Sequence, residues 1–180
     1  MDVAHGQMGI HVRKKIMSEK NFLVMGLDPG RDKIGFAFVK TDGTLIASGI
    51  FSASESKKFF DAMSSDSSRL SEWLIEGNSE ALPENLVSSV KFIAIGNGTH
   101  SKKFTEHVRE NLPCEILSVD EKNTTLEARN LYWKIHAPSF LIRLIPEGLR
   151  VPERVLDDLA AWSIALRGLK KYRDITQNKL

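Results

Sequence analysis

Phe22-Leu23-Val24-Met25-Gly26-Leu27-Asp28-Pro29-Gly30 reads as a buried strand: a short apolar run halted by a carboxylate and then a turn. A strand that ends in an acid aims the carboxylate out of the sheet edge, where a ligand can meet it. Lys33-Ile34-Gly35-Phe36-Ala37-Phe38-Val39-Lys40 follows as a second strand, so Asp28 stands at the mouth of a hairpin. Asp, Pro and Gly are also ordinary turn formers, so two readings of Asp28 remain open at this point.

Working outward, Thr44-Leu45-Ile46-Ala47-Ser48-Gly49-Ile50-Phe51 reads as a third strand, joined to the second through Thr41-Asp42-Gly43. That predicts a meander of three antiparallel strands. Between 52 and 89 the chain turns polar. Phe59, Phe60 and Met63, then Leu70, Trp73, Leu74 and Ile75, recur at helical spacing and predict two helices. Lys91-Phe92-Ile93-Ala94-Ile95 predicts a fourth strand, closed by Gly96-Asn97-Gly98-Thr99, and a helix is expected over 101–111. A fifth strand, 115–119, again ends in acid, Asp120-Glu121, before a helix opened by Thr124-Thr125. Residues 138–152 read as a loop with an apolar middle. Pro152 suits the start of a last helix over about 153–170. In that helix Asp157, Ala161, Ala165 and Gly168 share one stripe, whose small residues permit close approach to a sheet. Acids at 157 and 158 also suit the positive end of a helix.

The order predicts an α/β fold with a mixed five-stranded sheet, three strands antiparallel and two parallel, flanked by helices. A length of 180 residues suits one domain, expected over 21–174, with a flexible arm over 1–20 and a tail over 175–180. With 25 Lys plus Arg against 23 Asp plus Glu, no polyanion partner is announced by net charge. The single cysteine, Cys114, excludes an internal disulfide and any multi-cysteine metal site, and fits a cytoplasmic setting. No apolar run approaches the ~20 residues that span a bilayer, so no membrane partner is expected.

Three motifs in this order resemble the RuvC-like nucleases of the RNase H fold, and particularly the YqgF (RuvX) family. Gly26-Leu27-Asp28-Pro29-Gly30 with Lys33-Ile34-Gly35-Phe36-Ala37 is similar to that family's opening hairpin. Val119-Asp120-Glu121-Lys122-Asn123-Thr124-Thr125-Leu126-Glu127-Ala128 is similar to its Asp-Glu-Arg-x-Thr-Thr segment, with Lys122 where Arg is usual. Val155-Leu156-Asp157-Asp158-Leu159-Ala160-Ala161 resembles its closing helix. The Gly-Asn-Gly-Thr turn is closer to the YqgF-like domain of the transcription accessory protein Tex, which is not generally regarded as a nuclease.

The resemblance implies an RNase H-like domain and a cytoplasmic, metal-dependent endonuclease that hydrolyses phosphodiester bonds. Its substrates would be RNA or branched DNA, in precursor ribosomal RNA processing during ribosome biogenesis or Holliday junction resolution. It selects Asp28, Glu121 and Asp157 as catalytic ligands of Mg2+ or Mn2+, with Asp158 and Asp120 as alternates. Three carboxylates from separate elements suit hard divalent ions that activate water and relieve charge on the leaving oxygen. Candidate nucleic-acid contacts are Asn97 and Thr99 in the turn, Lys102 and Lys103 on the helix after it, and Lys122, Arg167 and Lys171. Each also has a bland reading, as a turn residue or a solvated charge. A monomer or a homodimer is compatible with these substrates.

Two other classes compete. One is a non-catalytic nucleic-acid-binding module like the Tex domain, which has no reason to keep an acidic trio. The other is an ATPase of the actin-like sugar-kinase superfamily, whose members duplicate this core and need a longer chain.

Overall fold

The structure is a computed structural model that describes residues 22–178, so the arm expected over 1–20 lies outside the described residues. Among the described residues six strands form one mixed sheet: β1 (Leu23–Pro29), β2 (Lys33–Lys40), β3 (Leu45–Ser52), β4 (Leu74–Gly77), β5 (Val90–Gly96) and β6 (Glu115–Val119). Their order is β4-β3-β2-β1-β5-β6. Strands β4 to β1 pair antiparallel, and β5 and β6 continue parallel to β1. The helices are α1 (Ser56–Ser65), α2 (Leu86–Ser89), α3 (Ser101–Asn111), α4 (Thr124–Ile135), α5 (Phe140–Arg143) and α6 (Asp157–Gln177).

The expected mixed α/β sheet is present, but with six strands rather than five. The extra strand, β4, lies where helical spacing predicted a helix. Leu70 and Trp73 do enter the core, from a 3-10 segment over Ser67–Glu72 and the residue that caps it. Beyond Trp73 the chain straightens, and the Ile50 N–H donates to the Trp73 carbonyl at 3.1 Å. Gly77, at φ +80°, permits the turn that ends the strand. An open β3 edge leaves a row of unpaired peptide groups, and covering them outweighs a weak local helical pattern.

The last helix also departs from expectation. It begins at Asp157 rather than near Glu153 and runs to Gln177, so the expected tail is helical over its first three residues. Arg154 donates to the Val155 carbonyl at 2.7 Å and to the Asp158 carboxylate, which holds the approach to the helix out of helical geometry. At the far end Arg173 donates to the Thr41 carbonyl at 2.6 Å, fastening the added turns to the β2–β3 loop. The apolar segment before it carries α5, a single turn, instead of plain loop.

Each sheet face is covered. On one, Met25, Leu27, Phe36 and Phe51 pack with Phe59 and Phe60 of α1 and Phe104 of α3. The Phe51 and Phe59 rings stack with centroids 4.1 Å apart. On the other, Val24, Ala37 and Ala94 meet Ala128 of α4 and Ala161 and Ala165 of α6. There the helix lies almost on the sheet backbone. A Cβ added at Gly26 would collide with the Ala161 carbonyl, one at Gly35 with the Asp157 carbonyl, and one at Gly168 with Ala94. Gly35 is the β-partner of Asp28. The first residue of α6 is therefore delivered beside the acid that ends β1.

Candidate functional site

Asp28 is half-buried near the end of β1, and burial is the main reason its carboxyl is pushed up to about 7. The nearby charges of Asp157 and then Glu121 push in the same direction, so the three acids share one field. Asp157 is likewise raised, by burial first and by Asp158 next, with Lys33 opposing. Neither Asp28 nor Asp157 has a side-chain hydrogen bond or a salt-bridge partner among the described residues. Glu121 approaches from the β6–α4 turn, its carboxylate lying against the glycines of the β5–α3 turn. A Cβ on Gly98 would overlap it, and one on Gly96 would come within 2.8 Å of its Oε2.

Several bonds position Glu121. Its N–H donates to Asn97 Oδ1 at 3.2 Å, and the Asn97 N–H donates to the Val119 carbonyl at 3.0 Å. Thr124 donates both its N–H and its hydroxyl to the Glu121 carbonyl, at 3.0 and 2.9 Å. Asn123, at φ +69°, makes the left-handed step that lets α4 start there. From α6, Arg167 donates to the carbonyls of Asp120 and Lys122 and to the Glu127 carboxylate, while Ser163 donates to the same carboxylate. Arg167, expected at a phosphate, is thus engaged as a clamp on the turn that carries Glu121. Asn97 is likewise a strut between β5 and β6.

The two alternate acids have other partners. Asp120 Oδ1 accepts from the Lys122 N–H at 3.0 Å, a local turn bond. Asp158 is fully buried, accepting from Ser48 at 2.9 Å and from Arg154 at 2.6 and 3.1 Å. Arg154 also reaches Glu76 of β4, which accepts from His136 at 2.7 Å if that ring nitrogen is protonated. Burial opposes the charge on Glu76, but the His136 and Arg154 bonds outweigh it and hold the carboxyl below its usual range. Of the remaining expected contacts, Thr99, Lys102, Lys103 and Lys122 are exposed, and Lys171 donates to the Ser118 carbonyl at 2.8 Å.

A cleft of about 260 Å³ opens over Asp28 and Asp157, walled by Thr125 and Arg129 of α4 and by Val151 and Val155. Sequence reasoning missed Arg129, Arg154 and Lys33 as neighbours of the acids. A usable signal existed for Arg129, which stands one helical turn after Thr125, on the same face.

The acids do not converge on one point. Among the described residues no group of three or more His, Cys, Asp or Glu side chains is arranged to hold a metal ion. Magnesium requires less, since one or two carboxylates with water and substrate phosphate suffice. Asp28 and Asp157, half-buried, mutually repulsive and without an ion pair among the described residues, fit that demand chemically.

One consequence is measurable without any metal. A carboxyl whose folded pKa is raised keeps its proton in the folded state while the unfolded chain has lost it. The folded state then binds more protons between about pH 4 and 7, so stability falls as pH rises across that window. In EDTA, the wild type is expected to lose thermal stability from pH 4.5 to 8. Asp28→Asn should flatten the decline and be the more stable protein at pH 8. Parallel profiles for the two proteins would remove Asp28 from a crowded acidic site.

No protein-family model matches this chain, and no curated protein matches it either. Among solved structures, a ROK family glucokinase from Streptomyces griseus, in complex with glucose and AMPPNP, shares 14% identity over 64% of this chain, with a TM-score of 0.35. This chain spans 37% of that enzyme's chain. A likeness that weak carries neither the fold nor the activity across. No helix among the described residues is long and apolar enough to cross a membrane.

Proposed function

We propose that this chain is a divalent-metal-dependent endonuclease with an RNase H-like, RuvC-like domain, hydrolysing phosphodiester bonds in structured nucleic acid. The observation that carries the reading is the shared field of Asp28, Asp157 and Glu121. They come from the end of β1, the start of α6 and the β6–α4 turn, and two of them lie in one cleft. A fold that brings like charges together in a half-buried place, with no ion pair to Asp28 or Asp157 among the described residues and only the field of Lys33 opposing, has a standing electrostatic cost. A hard cation removes that cost, and binding it releases the proton that Asp28 holds near neutral pH.

Asp28 and Asp157 would hold Mg2+ or Mn2+, with the charge of Glu121 nearby. The ion would supply an acidified water and charge relief on the leaving oxygen. The chain's own residues have distinct tasks. Arg129, on the cleft wall, attracts the phosphate backbone. Lys33 moderates the charge of Asp157. Arg167 and Asn97 hold the backbone of Glu121 in place.

That the described residues include no closed three-acid group favours a second reading, a binding module without catalysis, in which the same cleft holds nucleic acid but cuts nothing. One experiment separates them. A labelled four-way DNA junction and a precursor small-subunit ribosomal RNA fragment are incubated with the protein in Mg2+ and in EDTA. Discrete products that require Mg2+ are expected from at least one substrate. Binding without any product in Mg2+ or Mn2+ would establish the module instead.

A further inference from the structure

Residues 140–155 carry a dense exposed apolar surface that joins neither core cluster. Phe140, Leu141, Leu144, Leu149 and Val151 are each 70% to 77% exposed. Single exposed apolar residues are ordinary, but five within twelve positions mark a contact surface. The segment is braced within itself, since Arg143 Nε donates to the Pro138 carbonyl at 3.1 Å. Arg150 donates to the carbonyls of Ile145 and Arg143, at 2.9 and 3.4 Å. These partners are neutral. Among the described residues neither guanidinium forms a salt bridge with a carboxylate.

The strap is continuous with the acidic cleft. Val151 and Val155 line the same cleft as Asp28, Asp157 and Arg129. Arg129 is exposed and has no hydrogen bond or ion pair among the described residues. A chain lying in the cleft therefore meets an unpaired cation, Arg129, and the bare apolar side chains of Val151 and Val155 side by side. A continuous duplex offers phosphates but keeps its base faces stacked inside. An unpaired strand offers both, because each base has an apolar face.

Resting on the reading that the cleft takes nucleic acid, we infer that residues 140–155 form a rim that grips unpaired nucleotides beside the carboxylates. The substrate class is then a single-stranded or locally opened segment, such as a loop, bulge or fork. Aromatic and branched apolar side chains pack on exposed bases, and the strap's arginines and Arg129 follow the backbone.

The test measures binding in EDTA, so its outcome is independent of cleavage, which judges the nuclease reading separately in Mg2+. The full chain is titrated into a fluorescein-labelled unpaired 16-mer and into a blunt duplex of the same sequence, read by anisotropy. The 16-mer is expected to bind about tenfold tighter or more. Phe140→Ser with Leu149→Ser should weaken the 16-mer by about tenfold and leave the duplex unchanged. Both side chains are solvent-exposed, so the variant keeps its fold, verified by an unchanged melting curve. Arg129→Gln should weaken both ligands and reduce the salt slope by about one. Equal affinity for 16-mer and duplex, or no binding of either, overturns the inference. So does a strap variant with unaltered preference, which assigns the apolar surface to a protein or lipid partner.

Discussion

Asp28→Asn is expected to lower the cleavage rate by more than about a hundredfold, because even groups that merely orient a metal ligand are worth 10–100-fold. Asn keeps the size and shape of the side chain but lacks the charge and half the acceptor capacity that hold a divalent ion. Binding of nucleic acid should persist or tighten, since one negative charge facing the phosphates has gone. Stability at pH 8 should rise, because the deleted charge is the one that burial, Asp157 and Glu121 all disfavour. The combination is diagnostic. A turn residue at 28 would tolerate Asn with full activity, and a folding defect would lower activity and stability together. Full cleavage by Asp28→Asn, or cleavage that survives chelation, removes the metal site from this cleft.

The second large effect is on stability. Arg154→Ala leaves the Asp158 carboxylate, 0% exposed, with only Ser48 as a partner among the described residues. Removing one member of a buried ion pair costs roughly 3–5 kcal/mol, because the charge left behind is uncompensated. For a chain of this size that corresponds to a melting temperature lower by roughly 10 °C. The pair also links β3, β4 and the start of α6 through Glu76, so the loss is expected to loosen the α6 end that positions Asp157. Arg154→Ala with Asp158→Asn should recover much of the stability, since the fully buried charge is gone and Glu76 keeps His136 as a partner. Thermal melts of the single and double variants decide the matter. A single variant within about 1 kcal/mol of wild type would show that Asp158 reaches water or another cation.

The legible parts of this chain were those specified by neighbours in sequence. The helices over 101–111 and 124–135 begin and end where the apolar period and the turn residues place them. The β1–β2–β3 meander follows from apolar runs broken by Asp-Pro-Gly and Asp-Gly. Such patterns are local, and their cost or gain is felt within a few residues. The small-residue stripe of the last helix was also legible as a demand for close packing. Gly26 and Gly35 meet that demand on the strand side.

What the tertiary structure decided was where identical chemistry goes. Asp157 and Asp158 are adjacent and alike, yet a helix turns about 100° per residue. The contact of the Asp157 carbonyl with Gly35 brings the first acid beside Asp28, while the second is buried against Ser48 and Arg154. Arg167 reads as a solvated or phosphate-binding cation, and becomes a clamp only because α6 brings it over the β6–α4 turn. Strand β4 exists because β3 has an edge to cover, a fact about pairing across the sheet and not about residues 70–75. Turns and periodicity determined most of the elements, and the resemblance of three motifs singled out the three acids worth watching. Only packing, which couples residues more than a hundred positions apart, determined which acid stands in the cleft and which is sealed in an ion pair.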